Sequence, residues 1–202
     1  MVEALPRQML VPGATLLPEE VAGTALIFVD EGVVVLRSIV PGATRRTITC
    51  HAGAGALILP PEDDEVLAAL TDAVIVPISE ETRARLLERP QIASLLLDGL
   101  AATLRQKHAA IAAMSRLHHV DRVREKLIEL AREHGRVGRG AVRLDFPLTH
   151  DLLGEMTGSA RETVTRALDE LQREGFVERH GRTYSVHVPP ETLGVTPLTV
   201  RQ

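Results

Sequence analysis

The stretch Leu148-Thr149-His150-Asp151-Leu152-Leu153-Gly154-Glu155-Met156-Thr157-Gly158-Ser159-Ala160-Arg161-Glu162-Thr163-Val164-Thr165-Arg166-Ala167-Leu168 decides how this chain is read. Leu152 and Met156 precede Gly158 at helical spacing, and Val164, Leu168 and Leu171 follow it. Gly158 supplies the turn, so the pattern predicts helix, tight turn, helix. Close to the start of the second helix, Arg161 and Arg166 share one side with Glu162 between them. A helix entering a DNA major groove from its N-terminal end meets base edges with those positions. Arginines on a helix are more often a solvated face, so their location carries the reading. Ser159 and Glu162 also have capping-box spacing, which leaves two roles open for Glu162. It caps the helix, or it accepts from a cytosine amino group.

Beyond this stretch, Gly175 stops the second helix. Residues 176–179 and 183–187 then flank His180-Gly181-Arg182 as a hairpin with a glycine tip. Helix–turn–helix followed by a hairpin is a winged helix. Upstream lie a helix over 120–133, a loop over 135–140 and a strand over 142–146. The long helix before them is expected over 91–117. In it Leu97, Leu100, Leu104, Lys107, Ile111, Met114 and His118 recur at alternating intervals of three and four, the seam of a two-helix dimer. The neighbouring stripe Ile92, Leu96, Leu100 suits a helix lying on its own domain. A short helix over 80–88 has Ser79 as its N-cap.

The first part of the chain has strand and turn signals. Residues 1–24 read as irregular, with Pro6, Pro12, Gly13 and Pro18 breaking any run. Residues 25–29 and 33–36 read as a hairpin around Asp30-Glu31-Gly32, and 45–50, 56–59 and 74–76 as further strands. Glu62 to Glu65 read as an acidic loop. The expected fold is α+β: a small β-barrel or jelly-roll over residues 1–89, a dimerisation helix over 90–118, a winged helix-turn-helix over 119–188 and a tail over 189–202.

Composition bounds the function. The 202 residues are 45% hydrophobic but only 2% aromatic, so Leu, Val, Ile and Ala must fill the cores. The single cysteine, Cys50, excludes an intrachain disulfide and a zinc ribbon. No charged stretch followed by an apolar run opens the sequence, and no apolar run has membrane-spanning length, so a soluble cytoplasmic protein is expected. Residues 1–118 hold 10 Lys+Arg against 14 Asp+Glu, and residues 119–188 hold 12 of each. Nothing here grips phosphates indiscriminately; binding would rest on a few placed cations and on dimerisation. No catalytic set of Ser/His/Asp or Cys/His type stands at usable spacing, so an enzyme is not expected.

The segment from Leu148 to Arg182 resembles the DNA-binding domain of the Crp–Fnr family of bacterial transcription regulators, most closely in 158–166 and in the wing 180–183. The order barrel, short helix, long helix, winged helix resembles the family across the chain. The resemblance implies that Arg161, Glu162 and Arg166 read base edges and that Thr149, Thr163 and His180 touch phosphates. Ser159 and Arg182 complete the candidate phosphate set. It further implies a homodimer joined through the long helix on a palindrome of TGTGA-type half-sites, cyclic-nucleotide-binding-like barrel architecture, and RNA polymerase as a partner.

The barrel departs from the family pattern. Cyclic-nucleotide-binding members carry Gly-Glu followed by Arg-Ser or Arg-Thr. Here Gly55-Ala56 precedes four consecutive acids, with no arginine before Val74. Acids repel a phosphate, so cyclic-AMP dependence is not expected, and no cofactor or metal is assigned. Cys50-His51 offers haem-type donors, but adjacent strand residues face opposite ways, which favours a core cysteine and a surface histidine. His118-His119 are candidates for metal or pH sensing or for a helix-terminus contact. Lys107 in an apolar seam needs an anion, either a carboxylate across the dimer or a small acidic effector. Three accounts therefore stay open: an effector-independent regulator, one sensing a small anionic metabolite, and a helix-mediated protein-interaction module.

Overall fold

The computed structural model describes residues 5–39, 42, 46–114, 118–138 and 140–188. The tail over 189–202 lies outside them. The chain divides into two compact units, Met1–Ile111 and Ala112–Gln202.

The first unit contains strands β1 (Gln8–Leu10), β2 (Thr15–Leu16), β3 (Thr24–Glu31), β4 (Val33–Ser38), β5 (Thr47–Gly53), β6 (Leu57–Ile58), β7 (Glu65–Ala69) and β8 (Ala73–Ser79), then helix α1 (Glu80–Leu87) and all but the last turn of α2 (Pro90–Met114). Antiparallel pairing builds two four-stranded sheets, ordered β1-β8-β3-β6 and β2-β7-β4-β5. Alternation along each strand sends one row of side chains between the sheets. Ile27, Val29, Ile58 and Ile75 from one sheet meet Val34, Leu36, Cys50 and Leu67 from the other, all buried. The result is the jelly-roll-like sandwich that the strand-rich pattern predicts.

Strands β3 and β4 do not form the expected hairpin. Phe28 on β3 pairs with Val76 and Leu57, whereas Val35 on β4 pairs with His51 and Ala68. The Asp30-Glu31-Gly32 segment turns a corner between sheets instead of closing a two-strand ribbon. Gly32 has φ +80, and a Cβ there would lie 2.2 Å from the Asp72 carbonyl oxygen. Gly32→Ala is therefore expected to destabilise this unit by about 2–4 kcal/mol, through positive-φ strain and the backbone clash together. A shift of the urea midpoint to lower concentration with unchanged slope checks it. Two other expectations need correction. Residues 1–24, read as irregular, hold β1 and β2, which find ladder partners on β8 and β7. The strand β7 follows directly on the acidic loop and pairs with both β2 and β4.

Helix α1 starts where its cap predicts, with the Thr82 N–H donating to Ser79 Oγ at 3.2 Å. Ile92, Leu96 and Leu100 of α2 pack with Leu26, Leu57, Ile78 and Leu86, covering the outer face of the β3 sheet. Thr103 Oγ1 donates to the Leu57 carbonyl at 2.9 Å. One turn further, Gln106 straddles β5. Its Nε2 donates to the His51 carbonyl at 3.1 Å, and its Oε1 accepts from the His51 N–H at 3.3 Å. Cys50 is the expected core residue, but His51 is buried as well, not on the surface. Its side of the strand faces α2 rather than solvent, because Gln106 brings the helix down over it.

The second unit contains α3 (His119–His134), β9 (Arg136–Val137), β10 (Val142–Leu144), α4 (His150–Thr157), α5 (Arg161–Arg173), β11 (Val177–His180) and β12 (Thr183–Val186). The expected loop over 135–140 includes β9, which extends the sheet β11-β12-β10-β9 through the pair Val142 and Val137. Val123, Leu127, Leu130, Leu144, Leu153, Leu168, Leu171 and Tyr184 form its buried core. Among the described residues, no helix is long and apolar enough to cross a membrane.

Candidate nucleic-acid interface

Helix α4 begins at Thr149, whose hydroxyl accepts from the Leu152 N–H at 3.1 Å. It ends at Gly158, which has φ +63, the left-handed conformation that a β-carbon disfavours. Helix α5 then presents two unlike faces. Val164, Ala167, Leu168 and Leu171 are buried, while Arg161, Glu162, Arg166 and Asp169 are exposed. The apolar stripe fixes the rotation of α5 about its axis, and that rotation leaves the two arginines and the acid on open surface. Arg161 Nη1 lies 3.4 Å from Asp151 Oδ2 of α4. Arg166 Nε donates to the Glu162 carbonyl at 3.4 Å.

The capping-box expectation fails. The N-cap of α5 is Ala160, which has no side-chain oxygen, and Glu162 is the second helical residue rather than the third. Ser159 is only 4% exposed, and its hydroxyl lies 3.5 Å from the Thr157 carbonyl. Its N–H donates to the Gly154 carbonyl at 3.0 Å, so the turn draws this residue inward. A phosphate contact from the Ser159 hydroxyl is therefore withdrawn as well. Glu162, freed from capping, still favours the positive N-terminal end of α5.

The wing stands beside this face. Strands β11 and β12 pair up to His180 opposite Thr183. Arg179 Nε donates to the Gly181 carbonyl at 2.8 Å, and the Thr183 hydroxyl to the His180 carbonyl at 2.9 Å. The Leu148 N–H donates to the Arg182 carbonyl at 2.8 Å, which ties the wing tip to the residue just before the α4 cap. His180 and Arg182 are exposed, Thr149 is exposed, and Thr163 is half-buried. His180 Nε2 lies 3.9 Å from Glu178 Oε2.

Three residues of this surface escaped the sequence reading: Asp151, His150 and Arg179. Asp151 is an acid in a helix first turn, a common placement that signals nothing by itself. His150 Nδ1 lies 2.8 Å from Thr165 Oγ1 across the two helices. Burial first, then the charges of Arg179 and Arg161, hold its imidazole below the ordinary histidine value.

In the first unit, the seam candidates fall on two sides of α2. Leu97, Leu104 and Ile111 are 67%, 55% and 67% exposed, seven residues apart. Leu100 is half-buried against the sheet, and Lys107 is half-buried with no ion-pair partner among the described residues. The side chain of Met114 lies outside the described ones. His119 pairs with Arg122 one turn along α3, a helix-terminus contact whose cation disfavours a metal there.

Residues 121–191 match the Crp-like helix-turn-helix domain. That match places a Crp-like helix-turn-helix domain in the second unit. The global nitrogen regulator of Synechococcus elongatus is 31% identical over 114 residues, covering 56% of this chain and 51% of its own. A CRP-like cAMP-activated global transcriptional regulator of Mycobacterium tuberculosis is 31% identical over 101 residues, covering 50% and 45%. The chain spans about half the length of the curated relatives it matches. Solved structures carry the likeness in fold over the whole chain. FixK2 from Bradyrhizobium japonicum superposes with a TM-score of 0.77 at 19% identity, covering 95% of this chain and 96% of its own. A CRP-family transcriptional regulator from Thermus thermophilus does so with a TM-score of 0.73 at 21% identity, covering 93% and 97%. These are likenesses of fold, and they include the sandwich of the first unit.

Proposed function

We propose that this protein is a regulator of the Crp–Fnr type, a sequence-specific DNA-binding transcription regulator that works as a homodimer on a two-fold operator with TGTGA-like half-sites. One observation carries the reading: α5 buries its apolar stripe completely and leaves Arg161, Glu162 and Arg166 together on exposed surface at its N-terminal end. In this reading Arg161 and Arg166 donate to guanine, Glu162 accepts from cytosine, and Thr149, Thr163, His180 and Arg182 hold phosphates. Residues 90–118 join the protomers through Leu97, Leu104 and Ile111, with Leu100, Lys107 and Met114 flanking. Residues 1–89 are the sandwich domain and 119–188 the DNA-binding part. RNA polymerase is the partner through which bound protein acts.

Cyclic AMP has no place in this account. Glu62, Asp63 and Asp64 are exposed acids where a phosphate would need cations, and Glu65 is engaged by the Thr49 hydroxyl at 2.6 Å. A second reading rests on Lys107: a half-buried ammonium without a carboxylate partner among the described residues suits a small anionic effector at α2.

Selection of bound fragments from random DNA, with purified full-length protein and no additive, tests the proposal. Enrichment of a two-fold motif is the expected outcome. No enrichment without additive, but enrichment with a metabolite and its loss in Lys107→Met, favours the second reading. No enrichment under any condition refutes both.

A further inference from the structure

The first turns of α4 and α5 are joined at two points. Asp151, in the first turn of α4, faces Arg161, the first residue of α5, at 3.4 Å. Along the same faces, His150 Nδ1 lies 2.8 Å from Thr165 Oγ1, and the Thr165 hydroxyl donates to the Arg161 carbonyl at 3.0 Å. That hydroxyl has one proton, so the imidazole Nδ1–H donates to Thr165. The turn between the helices leaves no slack: a Cβ on Gly154 would lie 2.7 Å from the Ser159 carbonyl oxygen. Arg161 is thus held at its backbone through Thr165 and His150, and at its guanidinium through Asp151.

We infer that Asp151 is a specificity-determining positioning residue that aims Arg161 at its base. The inference rests on the DNA-binding function proposed above. A guanidinium offers five N–H groups in a planar fork, so a carboxylate on one nitrogen leaves others for guanine N7 and O6. In free protein the two side chains are 65% and 63% exposed, and such a pair adds little to stability. In a groove that excludes water the same pair matters more. A wrong base that displaces Arg161 also strands the Asp151 charge among phosphates. Asp151 therefore lowers affinity for DNA in general and raises the preference for one base pair.

Full-length Asp151→Asn, measured on the selected operator and on duplexes with each half-site base pair changed in turn, tests this split. The discrimination at one base pair is expected to fall by about ten-fold. Binding to unrelated DNA stays equal or tightens. In an Arg161→Ala background the same substitution leaves discrimination unchanged, because its target is gone. Equal tightening on every duplex reduces Asp151 to a bare repulsive charge and overturns the inference. So does unchanged discrimination, or a loss that persists without Arg161. These outcomes leave the DNA-binding reading standing, whereas a wild-type protein with no base preference removes that reading and this inference together.

Discussion

Replacing Arg161 by alanine is expected to weaken operator binding by about 2–6 kcal/mol, since each base contact is worth roughly 1–3 kcal/mol and a two-fold complex loses it twice. The loss concentrates on specific DNA. Non-specific binding depends on phosphate contacts, which the proposed complex keeps at the wing and the α4 cap, and it is expected to fall only by the electrostatic share of one cation per protomer. Operator and unrelated duplex should therefore converge in affinity as base preference relaxes at the position Arg161 reads. Arg166→Ala is expected to act in the same way at a different base pair. Neither change disturbs folding, because the Arg161 side chain is two-thirds exposed and the Arg166 side chain is exposed, with the apolar stripe of α5 untouched. Titration of labelled duplexes at fixed salt, beside urea unfolding of the same variants, checks both halves. Uniform weakening on all DNA would place these arginines on phosphates and move base reading elsewhere.

Local pattern made α5 readable, because the stripe Val164, Leu168, Leu171 and the turn at Gly158 each point the same way. Where local and non-local forces part, reading fails. The residues around Gly32 have hairpin chemistry, yet β3 and β4 enter different sheets. A glycine turn dictates that the chain bends; which strand fills the neighbouring ladder depends on core packing by residues far along the chain. Strand β7 was missed because Glu65 and two alanines dilute its signal, while β2 and β4 supply its hydrogen bonds. At the site, the exposed face of α5 is legible in the sequence, but a displacement of one residue is not. The turn pulls Ser159 inside and leaves Ala160 as the cap, which undoes a spacing argument that was otherwise sound. Asp151 and His150 were invisible for a related reason. Their meaning lies in what they face across the turn, ten and fifteen residues away.

The same division governs the long helix. Ile92, Leu96 and Leu100 are occupied by the sheet, so Leu97, Leu104 and Ile111 remain as an exposed apolar line, the one assigned to the proposed dimer. Their seven-residue spacing is that of one row in a two-helix seam. Leu104→Asp is thus expected to separate the protomers, since a carboxylate at the centre of the seam would face its own copy in an apolar interface. Loss of the dimer removes the linkage between half-sites, and operator affinity is expected to drop by about 100-fold or more. Leu95→Asp is the matched control. Leu95 is 70% exposed but lies two residues from Leu97, on another side of α2, so mass and affinity should stay as in wild type. Sedimentation gives the mass, duplex titration the affinity, and urea unfolding of each variant distinguishes dissociation from misfolding. An intact dimer in Leu104→Asp, bound as tightly as wild type, would show that the protomers meet elsewhere and that the exposed row on α2 has another partner.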